Sequence, residues 1–188
     1  MDESILISIR PKWCELIASG KKTIEIRKTR PKLETPFKCY IYCTIGKSGE
    51  DAPVVPIPGS NAEQFRIIQE GRVIGEFICD YTQKIYFDSD VRYGIDFPND
   101  YGKWLMKESG LTLWEMKDYL NGKDGVYWHI SALKIYTEPK KLTAFHRPCQ
   151  EGLYCESCAM HSYHSAAHCG NYALKIRRPP QSWMYAEE

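Results

Sequence analysis

Gly20-Lys21-Lys22-Thr23-Ile24-Glu25-Ile26-Arg27 is the stretch from which this 188-residue chain is best read. From Thr23 to Arg27 the pattern alternates, so Ile24 and Ile26 point one way and Thr23, Glu25 and Arg27 the other, as on a half-buried strand. Gly20 is placed to end a preceding helix. That helix opens at Pro11, in the first-turn position where proline is tolerated, and carries Trp13, Leu16 and Ile17 at helical spacing. Before it, Ile5 to Ile9 reads as a short strand. The turn after Gly20 can swing Lys22 to the side of Glu25 and Arg27. A carboxylate between two cations suits a ligand with phosphate and base edges. Arginine forks onto phosphate, lysine supplies a point charge, and glutamate accepts from an exocyclic amine. The same three residues also suit an ordinary salt-bridged strand face. Lys22 and Glu25 are the candidates for catalysis, and Lys22 serves as nucleophile or base only where burial lowers its pKa against the pull of Glu25.

Working outward, Phe37 to Ile45 predicts a long strand, with Lys38, Tyr40, Tyr42 and Thr44 on its polar side. Interleaved Tyr and Lys can stack and neutralise a nucleic-acid strand, or can be covered by a loop. Residues 46–61 read as an irregular Gly- and Pro-rich excursion, and Ala62 to Gln69 as a short helix. Arg72 to Tyr81 reads as a strand and 88–98 as a loop. Asp100 caps a helix from Tyr101 to Ser109. Thr112 and Glu115 form a capping box for a second helix, which ends at Asn121-Gly122. Gly125 to Tyr136 reads as one strand, and Arg178 to Trp183 as too proline-rich for regular structure, with Trp183 docked on the core. Four or five strands with two or three short helices predict an α+β fold, a small β-barrel or curled sheet decorated with helices.

Apolar residues make up 43% of the chain and charged residues 26%, which describes a globular protein. No apolar run approaches the ~20 residues of a membrane helix. The first residues, Met1-Asp2-Glu3-Ser4, lack the basic and apolar regions of a signal peptide, so a cytoplasmic setting is expected. The net charge of +1 is no general footprint for nucleic acid, although Lys and Arg crowd positions 21–38.

The other concentrated signal is C-terminal. Cys149, Cys155, Cys158 and Cys169 fall within 21 positions, among His146, His161, His164 and His168. A Cys-x-x-Cys pair with one further Cys on each side can close a tetrahedral shell around one Zn ion, a structural site with no open position. Cys14, Cys39, Cys43 and Cys79 lie in apolar periodic segments and read as core thiols. Cys14 follows Trp13 and could be posed as a nucleophile, but its helical setting favours the core.

The octapeptide matches the pattern G-x-K-x-x-E-x-R and so resembles the signature of the ASCH domain, a branch of the PUA-like fold. The strand and helix before it resemble the family's approach to that signature. Arg72-Val73-Ile74-Gly75-Glu76-Phe77 and Gly125-Val126-Tyr127-Trp128-His129-Ile130 resemble its central and closing strands, so the likeness spans residues 5–136. The cysteine module lies outside the usual domain and resembles appendages of phage and prophage members. The resemblance implies a pseudo-barrel at 1–138 with a zinc-binding extension at 139–188 packed on it. It also implies an RNA or nucleotide ligand held in a cleft by Gly20, Lys22, Glu25 and Arg27. A subgroup of the family hydrolyses acylated cytidine. It has a hydroxyl residue where this chain has Glu25, and its helical acid falls near Glu108. The expected function is therefore an RNA- or nucleotide-binding module. An amidohydrolase or nuclease acting in the same cleft is the alternative.

Overall fold

The structure is a computed structural model that describes residues 4–46, 54–56, 65–67, 70–86, 100–149 and 171–188. Its elements in chain order are β1 (Ser4–Ile9), α1 (Pro11–Ala18), β2 (Ile24–Arg27), β3 (Phe37–Cys43), β4 (Val54–Pro56), β5 (Phe65–Ile67), β6 (Arg72–Cys79), β7 (Thr82–Ile85), α2 (Asp100–Ser109), α3 (Leu113–Leu120), β8 (Gly125–His129), β9 (Ser131–Lys140) and β10 (Trp183–Ala186). The strands that the sequence assigns to a small barrel are distributed between two main sheets. One has the order β10-β1-β3-β6-β9 and the other β2-β8-β7. β1 runs parallel to β3, pairing Ile5 with Cys39, and antiparallel to β10, pairing Ser4 with Ala186.

The layers follow from the alternation of side chains. Ile5, Ile7, Ile9, Cys39, Ile41, Phe77, Val126 and Trp128 fill a core bounded by both sheets and by Cys14 and Ile17 of α1. On the far face of the five-stranded sheet, Leu6, Tyr40, Tyr42 and Val73 pack against Leu142, Phe145, Ile176 and Ala186. On the far face of the smaller sheet, Ile24, Ile26 and Tyr127 meet Leu105, Met116 and Leu120 of α2 and α3. β2 is therefore buried on both sides, which puts its charged residues inside the protein.

Several local expectations need correction. The segment 62–69 is not helical where it is described: Phe65–Ile67 is a strand that pairs with Val54–Pro56, and aromatic and β-branched residues favour that state. The run 125–136 is two strands. β8 pairs in the smaller sheet and β9 in the larger, so the chain changes sheets at Ile130, with Ala132 at φ 45 just beyond. β7 has no counterpart in the sequence reading. Regular structure also extends into the proline-rich tail, where β10 begins at Trp183. The Thr112–Glu115 capping box is present, as are the left-handed Asn121 and Gly122 that end α3. Cys14, Cys39, Cys43 and Cys79 are all buried. Among the described residues, no helix is long and apolar enough to cross a membrane.

Candidate functional site

Gly20 adopts φ +73, a conformation costly for side-chain-bearing residues. The turn closes as the N–H groups of Lys21 and Lys22 both donate to the carbonyl of Leu16. It delivers Lys22 to the C-terminal end of α2, where the Lys22 ammonium donates to the Ser109 carbonyl at 2.7 Å and the Thr23 N–H to the Glu108 carbonyl at 2.9 Å. Two carbonyls that α2 leaves unpaired are thus satisfied, and the cation sits at the negative end of the helix dipole. Gly110, at φ +64, lets the chain turn here; a Cβ on it would come within 2.9 Å of Leu16 Cδ1.

The signature residues converge. Glu25 lies between Lys22 Nζ, 3.1 Å from Oε2, and Arg27 Nη2, 2.9 Å from Oε1. Arg27 Nη2 also donates to the Ser8 carbonyl at 2.7 Å, and Nη1 makes long contacts of 3.4 Å to the carbonyl and hydroxyl of Ser182. Lys22, Glu25 and Arg27 are only 3%, 7% and 5% exposed, so the salt-bridged face is an interior ion network. Glu25 stands opposite Trp128 of β8. Burial pulls the Lys22 pKa below the usual lysine range, while its attraction to Glu25 works the other way. Arg27 Nε is buried and has no hydrogen-bond partner among the described residues.

The network forms one wall of a cavity of about 500 Å³. Arg10 and Trp13 come from the β1–α1 corner, Glu115, Asp118 and Tyr119 from α3, and Pro180 and Gln181 from the segment before β10. That segment is tied down by the Ser8 hydroxyl, which donates to the Pro180 carbonyl at 2.6 Å, and by the Ser8 N–H, which donates to Ser182 at 2.9 Å. Glu115 is held by the Thr112 N–H and by Lys12 at 3.0 Å, and these contacts lower its pKa.

The structure brings Lys22, Glu25 and Arg27 together, and Gly20 shapes the turn without lining the cavity. The sequence reading missed Ser8, the Ser109 carbonyl and the wall formed by α3 and the tail. The capping box located α3, but nothing local in the sequence says which way α3 faces. Glu108 accepts from the Thr23 hydroxyl at 2.5 Å, and that bond is the main reason its pKa falls. Its carboxylate thus serves Thr23, whereas only its backbone neighbour Ser109 reaches Lys22. The Tyr40–Tyr42 face is no open nucleic-acid surface. Both rings are buried beneath the C-terminal residues, and Tyr40 meets Phe145 edge-on with ring centres 4.8 Å apart. Burial raises the Cys14 pKa well above the usual thiol range, as a core thiol requires. Of the metal candidates, Cys149 is a free, half-buried thiol, whereas Cys155, Cys158 and Cys169, with His161, His164 and His168, lie outside the described residues. Among the described residues no cluster of three or more His, Cys, Asp or Glu could hold a metal.

Residues 7–42, from β1 through the signature into β3, match the family model described as the ASCH domain. The fold is similar to crystal structures of the ASCH protein from Zymomonas mobilis. The wild type aligns with a TM-score of 0.54 at 17% identity, covering 98% of this chain and 88% of that one. A serine-to-alanine variant of that protein gives 0.55 at 18% identity, covering 98% and 89%. A tyrosine-to-phenylalanine variant gives 0.51 at 16%, covering 98% and 91%. The mixed α+β architecture is thus of the ASCH type. No curated protein sequence matches the chain.

Proposed function

We propose that this protein is an RNA- or nucleotide-binding module whose ligand enters the cavity walled by Lys22, Glu25 and Arg27. The observation that carries the reading is Arg27. Its guanidinium lines a cavity of ligand size while its buried Nε–H has no acceptor among the described residues, and an unsatisfied buried donor costs roughly 1–3 kcal/mol. A ligand phosphate or base edge in that cavity can accept from the guanidinium. Trp13 and Tyr119 offer ring surfaces in the same cavity. The ASCH match over 7–42 supports the same class of ligand.

Arg27→Lys is the informative variant, because lysine keeps a cation for Glu25 while losing the donor fork. Anisotropy titrations with a labelled single-stranded RNA and with a labelled mononucleotide should show binding about fivefold or more weaker, in line with a lost charged hydrogen bond. Parent-like affinity for both probes would sink the reading.

An amidohydrolase or nuclease in the same cavity is the second reading. It draws on Lys22, whose lowered proton affinity is what a lysine base or nucleophile needs. Turnover of acylated nucleosides or RNA, lost in Glu25→Gln at nearly constant binding, would establish it.

The C-terminal extension is proposed to hold one structural Zn through Cys149, Cys155, Cys158 and Cys169. The flanking chain supports a stapled loop. The Arg147 N–H donates to the Leu174 carbonyl at 2.8 Å, and His146 exchanges backbone hydrogen bonds with Glu187 at 2.9 Å, so both ends of the module meet on the sheet.

A further inference from the structure

A second cavity, of about 490 Å³, is lined by Thr82, Gln83, Lys84, Ile85, Tyr86 and Tyr101, none of which lines the first. Its setting is aromatic. Tyr81, Tyr86 and Tyr101 are 39%, 68% and 39% exposed, and they are half of the large exposed apolar side chains among the described residues. They are not scattered. His129 stacks on Tyr81 with ring centres 4.6 Å apart, Tyr81 meets Tyr127 edge-on at 6.1 Å, Tyr127 meets Trp104 at 5.8 Å, and Trp104 lies against Tyr101 at 5.9 Å. This chain of rings, running from β8 to α2, braces Tyr81 and Tyr101 from behind. A partner that stacks on Tyr101 therefore meets a pre-ordered ring and immobilises few of its rotamers.

The polar groups around the rings decide what the partner is. Lys84 is exposed, and the Arg30 guanidinium is set beside the cavity by its bond to Thr82 Oγ1 at 3.2 Å. Among the described residues, the neighbouring acids are engaged: Asp80 by His129 at 2.6 Å, Glu108 by Thr23 and Lys107, and Asp100 by Lys103. Flat apolar rings flanked by cations fit stacked bases joined by phosphates. We infer that this β7–α2 surface is a stacking platform for single-stranded RNA, on which Tyr86 and Tyr101 carry bases and Lys84 and Arg30 neutralise the backbone. The inference rests on the RNA-binding reading above and adds a second contact to it, away from the ion network.

The test is anisotropy of a fluorescein-labelled ten-nucleotide uridine RNA with the full chain and its Tyr86→Ala, Tyr86→Trp, Lys84→Ala and Arg27→Lys variants. Stacking predicts about tenfold weaker binding for Tyr86→Ala and retained binding for Tyr86→Trp. Lys84→Ala should flatten the salt dependence. A mononucleotide held only in the first cavity should bind Tyr86→Ala like the parent. RNA binding that survives Arg27→Lys but drops in Tyr86→Ala supports the platform while defeating the first-cavity reading. Parent-like RNA binding by both Tyr86→Ala and Lys84→Ala overturns the platform, whatever Arg27→Lys does. Sedimentation in which Tyr86→Ala dissolves a dimer without changing RNA binding also overturns it and makes the patch a contact between copies.

Discussion

The Lys22 ammonium meets the Ser109 carbonyl at 2.7 Å across 87 residues of sequence, so the signature turn and the end of α2 share one buried contact. Lys22, Glu25 and Arg27 form a coupled set: removing Glu25 leaves two cations in a poorly solvated interior, whereas removing either cation leaves one matched ion pair.

That arrangement ranks two variants. Glu25→Ala strands two buried cations and should cost about 3–5 kcal/mol. Lys22→Met leaves Glu25 its Arg27 partner and should cost less, about 1–3 kcal/mol, mainly through the unpaired Ser109 carbonyl. Urea denaturation of both variants checks the order, and equal losses would argue against a shared network.

Acid should expose the Thr23–Glu108 bond. The folded Glu108 pKa lies below its unfolded value, so its contribution is complete above the unfolded pKa and is lost as pH falls through the folded one. Thr23→Val should cost about 1 kcal/mol at neutral pH. The gap to the parent should close below about pH 4, the ordinary glutamate range. Thermal melts from pH 7 to pH 3 measure it, and a gap independent of pH would assign the loss to packing.

Ser8 ties β1 to the tail through its hydroxyl bond to Pro180. Ser8→Ala should cost about 1 kcal/mol and speed amide exchange around Gln181 and Ser182. Hydrogen exchange by mass spectrometry reads this directly. Unchanged exchange there would mean the β1–β10 ladder alone holds the wall.

Protein purified without chelator should contain about one equivalent of Zn, the stoichiometry of a single four-cysteine shell. Cys155→Ser should lower it and raise proteolysis of the extension, with residues 4–46 remaining folded. A metal-free chain with a protease-resistant extension would exclude the site.

How much was legible from sequence depended on how local the cause was. The octapeptide carries its turn and strand in its own alternation, and the capping box of α3 is a four-residue device, so both could be read. The burial of Arg27 could not, because part of its cover is Ser182, 155 residues further along the chain. The split of 125–136 at Ile130 was hidden for a similar reason: a continuous strand-like run looks the same whether its halves pair with one sheet or two. Whether the Tyr40–Tyr42 face was open or covered could not be decided, because its cover, Phe145 and Ile176, comes from a region whose sequence signal was metal chemistry.

The pairing of β1 with β10 also governs the order of events during synthesis. Ile5 to Ile7 cannot gain their second neighbouring strand until Trp183 to Tyr185 have been made, so the sheet is completed by the most sequence-distant contact available to it. A nascent chain carries β1 as an unpaired edge for nearly its whole translation, and such edges recruit other strands. A message truncated before Pro180 would yield a chain with both the sticky edge and a cavity missing one wall, a natural substrate for chaperones and proteases.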